Sequence, residues 1–288
     1  MNGRAAGRLF VVATPIGNLG DFSPRAVETL RAVRAILAED TRQVRKLLAH
    51  FGIATSTQAF HEHNEARAVP GLLARLAAGE DFALVSDAGM PLLSDPGFRL
   101  VRGCREAGVE VLVVPGPSAV VSAVAVSGLP PYPFTFAGFL PPRQGGRDRH
   151  LTGLAPLPHT LVFFLSPHRL AEELASCARI LGAAREGALM SELSKLHERC
   201  RRGTLEELAA WAANAAAPGE HTLVIGPPAT AEAREISREH AQRALDEALR
   251  EGLGLGPARQ AAAHRLGISR RQLYALLQGS APGPEAPS

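Results

Sequence analysis

The stretch LVSDAGMPLLSDPG, residues 84–97, decides how the chain is read. The apolar run from Phe82 ends abruptly at Ser86 and Asp87, and small residues and two prolines follow. A strand entering a ligand-binding loop has this form. The loop is not the GxGxxG turn of a dinucleotide fold, and it has no Lys-Ser or Lys-Thr pair to hold a phosphate.

The same pattern recurs on both sides. Leu9–Ala13 is an apolar run closed by TPIGNLGD, and Ser23-Pro24 then starts a helix with serine as cap. AIL (35–37) ends in AEDTR before a helix over about 43–51, and TQAF (57–60) ends in HEHN before a helix over about 65–78. FALVS (82–86) leads through the opening stretch to a helix reaching Arg105, then a strand at 109–115 and a helix from Ser118. Strands alternating with helices predict a parallel sheet covered on both faces, with ligands at the carboxyl ends of the strands.

A second αβ set follows: TLVFFL (160–165) before SPHR, ALMSEL (188–193) before a helix from Leu205, and HTLVIG (221–226). FLPPRQGGRDRH (139–150) is rich in Pro, Gly and Arg and reads as a linker or mobile substrate loop. Beyond about residue 232 the strand signal stops. Three short helices are expected there, with RQAAAHRLGISRRQLYALL in the pattern of a helix-turn-helix and Gly267 at its turn. The layout expected is an α/β domain over 1–138, a second over 139–230, a helical module over 231–280 and a disordered end at 281–288.

Composition narrows the function classes. The chain has 288 residues, 46% of them hydrophobic, and a mean hydropathy near zero at +0.03, as in globular rather than disordered proteins. No apolar run reaches the length of a membrane span, and the run at the N-terminus is too short for a signal-peptide core, so a cytoplasmic location is expected. Cys104, Cys177 and Cys200 are isolated, which argues against a zinc site or a disulfide framework. His61 and His63 could share a face, but no third metal ligand has clear spacing, so no metal is expected. Net charge is +3, and the only lysines are Lys46 and Lys195. The cationic surface is therefore arginine, which suits phosphate.

Five blocks, taken in order, carry a resemblance: VATPIGNLGDFSPRAVETL, AEDTR, FHEHNE, LVSDAGMPLLSDPG with VVPGPSAV, and SPHRL…ELSKLHE…GEHTLVIG. Over roughly 8–227 the chain resembles the ribosomal RNA small-subunit methyltransferase I family of the tetrapyrrole-methylase superfamily. The resemblance implies two α/β domains with S-adenosylmethionine in the cleft between them, and usually a homodimer. It implies methyl transfer to the ribose 2′-hydroxyl of a cytidine in the decoding-centre helix of 16S rRNA. Two rival readings are C-methylation of a tetrapyrrole and a nucleic-acid-binding regulator that senses the same cofactor. The PIGN turn in place of GxGxGD, and the basic tail, oppose the first; the loops AEDTR and HEHN speak against the second.

The cofactor loops so implied are Pro15, Ile16 and Gly17; Asp87, Ala88, Gly89 and Pro91; Pro117, Ser118 and Ala119; and Leu165 and Thr222. Small residues allow close backbone approach, and Asp87 can accept from an ammonium or ribose hydroxyls. In-line transfer needs positioning and a base for the hydroxyl proton. Candidates are Asp40, His61, Glu192 and Lys195, with Arg42 on phosphate and the first two favoured; Asp40 also reads as a helix cap. Lys195 could serve only with a depressed pKa. Arg169 and His168, the arginines at 143, 147, 149, 199, 201 and 202, and those of the tail are candidates for RNA contact. The chain departs from the family pattern YESPHR at Phe164-Leu165, losing a hydroxyl and a carboxylate, and has Met90 where threonine is usual.

Overall fold

Four short, mainly apolar runs and the polar segment Thr57–Ala59 pair into the first sheet. In chain order the elements are β1 (Arg8–Val12), α1 (Pro24–Ala32), β2 (Ala35–Ala38), α2 (Thr41–His50), β3 (Thr57–Ala59), α3 (Glu62–Ala77), β4 (Phe82–Val85), α4 (Phe98–Glu106) and β5 (Glu110–Val114). The strand order is β3-β2-β4-β1-β5, parallel throughout. Every residue of β2 and β4 is buried, as expected for central strands covered on both faces. Val12, Ile36 and Ala83 pack with α1 and α2 on one face, and Leu9, Leu37 and Leu84 with α3 and α4 on the other. The computed structural model describes residues 6–214, 218–228, 238–266 and 270–278. It divides into two units, Met1–Pro228 and Ala229–Ser288.

Helix starts follow local chemistry. Ser23 Oγ accepts from the Ala26 N–H at 3.1 Å, with Pro24 beginning α1. In FHEHNE, Phe60 is fully buried, and His61 caps α3 while its N–H donates to Asn64 Oδ1 at 2.9 Å. Glu65 reaches across to α4, whose cap residue Gly97 has no side chain to offer. Its Oε1 accepts from the N–H groups of Gly97 and Arg99 at 3.1 and 3.0 Å. Gly97 has φ +132°, and a Cβ there would lie 2.6 Å from Leu84 Cδ2.

The second sheet differs from the first. Helix α5 (Ala119–Val126) leads to β6 (Phe134–Phe139), α6 (Gln144–Leu154), β7 (Thr160–Leu165), α7 (Leu170–Leu181), β8 (Glu186–Ser191), β9 (Arg199–Thr204), α8 (Leu205–Asn214) and β10 (His221–Ile225). The order is β6-β7-β10-β8-β9. β6 and β7 run parallel; the other three pairs are antiparallel. Val120, Ala123 and Val124 of α5 pack on Val162, Ala188 and Val224 of this sheet.

Two expectations need correction. Residues 139–150 are not a linker: Phe139 closes β6 and most of the remainder is α6, held by the buried pair Arg147 and Leu151. The second sheet thus begins at Phe134, before residue 139. Strand β9 went unread because RCRRGT has no apolar alternation; it is an edge strand paired to β8.

The described residues of the second unit include α9 (Arg238–Arg250), α10 (Leu255–Leu266) and α11 (Arg270–Gln278). Ala241, Ala248, Ala258, Ala262 and Leu273 form its core. The turn at Gly267 and the end at 281–288 lie outside the described residues. No helix among the described residues is long and apolar enough to cross a membrane.

Glu65→Ala should leave the buried Gly97 N–H and the part-buried Arg99 N–H unmatched and cost about 1–3 kcal/mol. The urea midpoint should fall with unchanged slope; an unchanged midpoint would show that the α3–α4 bridge contributes nothing.

Candidate functional site

Three loops at the carboxyl ends of the first sheet are laced by backbone bonds. Ala13 N–H donates to Val114 O at 3.1 Å, and Thr14 and Gly89 exchange N–H···O bonds of 2.9 and 3.1 Å. Thr14 Oγ1 donates to Ser86 O at 3.1 Å. Gly89 has φ +78°, and a Cβ there would press on Ile16 Cγ2 at 3.2 Å. Leu92 and Ser94 also hold positive φ, at 73° and 74°. These are strained conformations for residues with side chains.

The second sheet contributes the loop after β8. Glu192 Oε1 accepts from Lys195 Nζ and from the Glu220 N–H, each at 2.8 Å, and Lys195 pairs with Glu220 at 3.2 Å. The Lys195 stem lies over Gly17, where a Cβ would meet its Cγ at 2.3 Å. Ser194 Oγ donates to Asp21 Oδ2. The β1 and β8 loops are thereby joined across the two sheets.

Between them lies a cavity of about 400 Å³. Of the expected cofactor residues, Ile16, Asp87, Ala88, Gly89, Ser118, Ala119, Leu165 and Thr222 line it. Pro15 and Pro91 are buried and do not line it. Gly17 is covered by Lys195, and Pro117 faces a neighbouring, wider cleft shared with Ser118 and Val121.

Four acids line this cavity: Glu220, which pairs with Lys195, and Glu39, Asp87 and Asp95. Burial pushes the Asp95 carboxyl up to about 6, and the charges of Glu39 and Asp87 push the same way. Burial also raises Glu39, helped by Asp87. Asp87 is raised by burial against the opposing bond from the Asp40 N–H, at 3.2 Å. Glu39 and Asp95 were missed as site residues. Glu39 sits in AEDTR directly before the cap of α2, and nothing in the spacing of the opening stretch distinguishes Asp95 from a turn residue.

The catalytic candidates fall apart spatially. Asp40 caps α2, accepting from the Arg42 N–H at 2.8 Å, and neither residue lines the cavity. His61 neighbours Glu39, whose pKa its charge lowers. Its buried Nδ1 has no partner among the described residues. Glu192 is held below the usual carboxylate range by its hydrogen bond from Lys195. Burial works to lower Lys195, but its bonds to Glu192 and Glu220 prevail and the net shift is upward. Lys195 therefore stays protonated; it is a clamp, and the depressed pKa that a base role requires is not met.

The departure at Phe164-Leu165 has a packing explanation. Phe164 packs edge-on to Phe136 and tilted against Phe139 at centroid distances of 4.9 and 5.3 Å, and Leu165 belongs to the core. The carboxylate at this strand end comes instead from buried Glu173, which accepts from the Ser166 N–H at 2.9 Å and Arg169 Nε at 3.1 Å. Arg169 is thus already paired, while His168 is exposed. Arg147 is not on the surface: it is buried and donates to Ser176 Oγ at 2.8 Å. Arg143, Arg149, Arg199, Arg201 and Arg202 are exposed.

The family model for Tetrapyrrole (Corrin/Porphyrin) Methylases matches residues 8–209. A ribosomal RNA small subunit methyltransferase I of Xylella fastidiosa is 47% identical, covering 93% of this chain and 98% of its own length. The chain belongs to this family. The Pseudomonas aeruginosa methyltransferase I is 44% identical over 94% of this chain and 96% of its own. Among solved structures, a uroporphyrin-III C-methyltransferase from Thermus thermophilus aligns with a TM-score of 0.55 at 24% identity, over 76% of this chain and 94% of that one. A diphthine synthase aligns at 0.60 and 15% identity, over 76% and 89%. These two establish the fold. Methyltransferase I chemistry makes the protein an enzyme, and the cavity is its candidate active site.

The raised Asp95 pKa carries a stability consequence. Its charge is disfavoured in the fold, so the carboxyl contributes most when protonated and loses that contribution as pH rises from about 4 through about 6. Asp95→Asn should raise Tm at pH 7 and above and leave it nearly unchanged at pH 3.5. A Tm that falls at every pH would contradict this assignment.

Proposed function

We propose that the chain transfers a methyl group from S-adenosylmethionine to 16S rRNA of the small ribosomal subunit, at the 2′-hydroxyl of a cytidine ribose. The observation that carries this reading is the gathering of Glu39, Asp87 and Asp95 in one partly apolar cavity. Carboxylates that raise one another's pKa favour a cationic ligand, and the donor has a sulfonium and an ammonium. S-adenosylmethionine, when bound, supplies an electrophilic methyl group with a neutral leaving group.

The residues fit that donor. Ile16, Phe164 and Leu165 offer apolar walls for a flat base. Asp87 would accept from the ammonium or the ribose hydroxyls. Gly89 and Gly219 leave room for close approach; at Gly219, with φ +101°, a Cβ would lie 2.3 Å from Glu192 Oε1. Ser118 caps α5 without spending its side chain on the helix, so the amides there suit a carboxylate.

The chain's own residues then hold the RNA and take up a proton. Asp95 is the proposed proton acceptor, because it lines the cavity and a pKa of about 6 keeps it ionised yet basic near neutrality. His61 and Asp40 stand behind Glu39 and Asp87 as supports of this acid cluster, and Arg42, exposed at the rim, is proposed for phosphate. The exposed apolar residues Val113, Val121 and Val126 support pairing of two copies. The reading places the enzyme where ribosomal subunits are, in the cytoplasm.

The test uses labelled S-adenosylmethionine and small subunits from cells lacking this gene. Label should appear in 16S rRNA, in a dinucleotide resistant to alkali because its 2′-hydroxyl is blocked. Asp95→Asn should cut kcat by about 100-fold or more, and the wild-type rate should climb through about pH 6. Label on a base, or none on RNA, would overturn the reading. An Asp95→Asn enzyme of normal kcat, with His61→Ala inactive, would move the base to His61.

A further inference from the structure

A second cavity, of about 440 Å³, opens at the far edge of the second sheet. Leu189 and Ser191 of β8, Arg199 and Arg201 of β9, and Trp211 of α8 line it. The Arg201 guanidinium lies 4.5 Å from the centre of the Trp211 ring. Arg199, Arg201 and Arg202 are exposed, and none of the ion pairs among the described residues engages them. No acid among the described residues lines this cavity.

One cross-strand row of the sheet has residues at both cavities. His221 of β10 pairs with Ser191 of β8, and Ser191 with Arg199 of β9. His221 lines the donor cavity, and its Nδ1 lies 2.9 Å from Ser191 Oγ. Two strand spacings separate the Cα atoms of His221 and Arg199, about 10 Å. A nucleic-acid strand with one nucleotide in the first cavity would run past the second.

We propose that this β9–α8 cavity is a subsite for a single-stranded nucleotide flanking the methylated one. The proposal rests on the reading of RNA as substrate. Arg201, backed by Trp211, presents a guanidinium plane on which a base stacks, and Arg199 takes a phosphate. Unpaired planar cations beside an aromatic ring complement a base and its phosphate. A protein partner for the same surface would need acidic groups and would leave the row toward the donor cavity without purpose.

Trp211 is the only tryptophan in the chain, so it reports on the site directly. Its fluorescence would be titrated with a six-nucleotide cytidine RNA, at several salt concentrations, in the full-length protein. A saturable change is expected, weakening with salt. Arg199→Gln/Arg201→Gln should bind about tenfold or more weaker and reduce the salt slope by about one unit. The double variant should still bind S-adenosylhomocysteine as the wild type does, and Arg201→Lys should restore the salt slope but not the affinity. An unchanged affinity in the double variant would overturn the subsite. So would a fluorescence change that follows protein concentration and not RNA, which would make this edge a contact between copies. If subunits are methylated normally by the double variant at limiting RNA, the subsite fails while the proposed function stands. If the wild type methylates no subunit RNA, the function itself fails.

Discussion

The cavity depends on the two backbone bonds between Thr14 and Gly89. They tie the loop after β1 to the loop after β4, which are adjacent parallel strands. Parallel strand ends diverge into separate connections, so nothing else in the sheet's own pairing would hold these loops together. The exchange requires residue 89 at positive φ with no side chain toward Ile16, a condition glycine meets at little cost. Once the loop is fixed there, Asp87, Ala88 and Asp95 have defined places.

The electrostatics follow from that placement. Glu39, Asp87 and Asp95 are brought together in one pocket, where burial raises all three pKa values, Asp87 also raises Glu39, and Glu39 and Asp87 also raise Asp95. Such a site is poised for a cation and holds a base near neutrality. A different arrangement sits at the β8 loop, where the single Lys195 ammonium pairs with both Glu192 and Glu220. Among the described residues the first cluster has no cation paired within it, whereas the second is internally paired and its loop contacts the β1 loop through Lys195 over Gly17 and Ser194 on Asp21.

The first sheet was legible in the sequence because its strands other than β3 are largely apolar runs, and all of them end in a recognisable loop. β2 and β4 are apolar from end to end, and their loops carry the blocks that also identify the family. The second sheet was less so. FTFAGF lies among prolines and bulges near Gly138, which hid β6. β9 carries four polar residues because an edge strand has no need of two buried faces. Helix α6 contains Gly145, Gly146 and Gly153, so its propensity argued for a loop, and tertiary burial of Arg147 and Leu151 overrode it. At the site, the cofactor loops could be read from strand ends, whereas the roles of the charged residues could not. Asp40 and Lys195 spend their charges on local partners, and Asp95 gains its pKa from residues distant in sequence. Those are properties of three-dimensional neighbours, which spacing does not encode.

The central claim is that the laced loops form the seat of the methyl donor. Calorimetric titration of S-adenosylhomocysteine into the wild type and Gly89→Val tests it most directly. The account predicts one site per chain in the wild type. In the variant, the Cβ strain at positive φ and the clash with Ile16 should weaken binding by about tenfold or more, with the circular dichroism spectrum preserved. Equal affinity in a folded Gly89→Val protein would contradict it, because the donor would then be held somewhere other than the loop that Thr14 and Gly89 close.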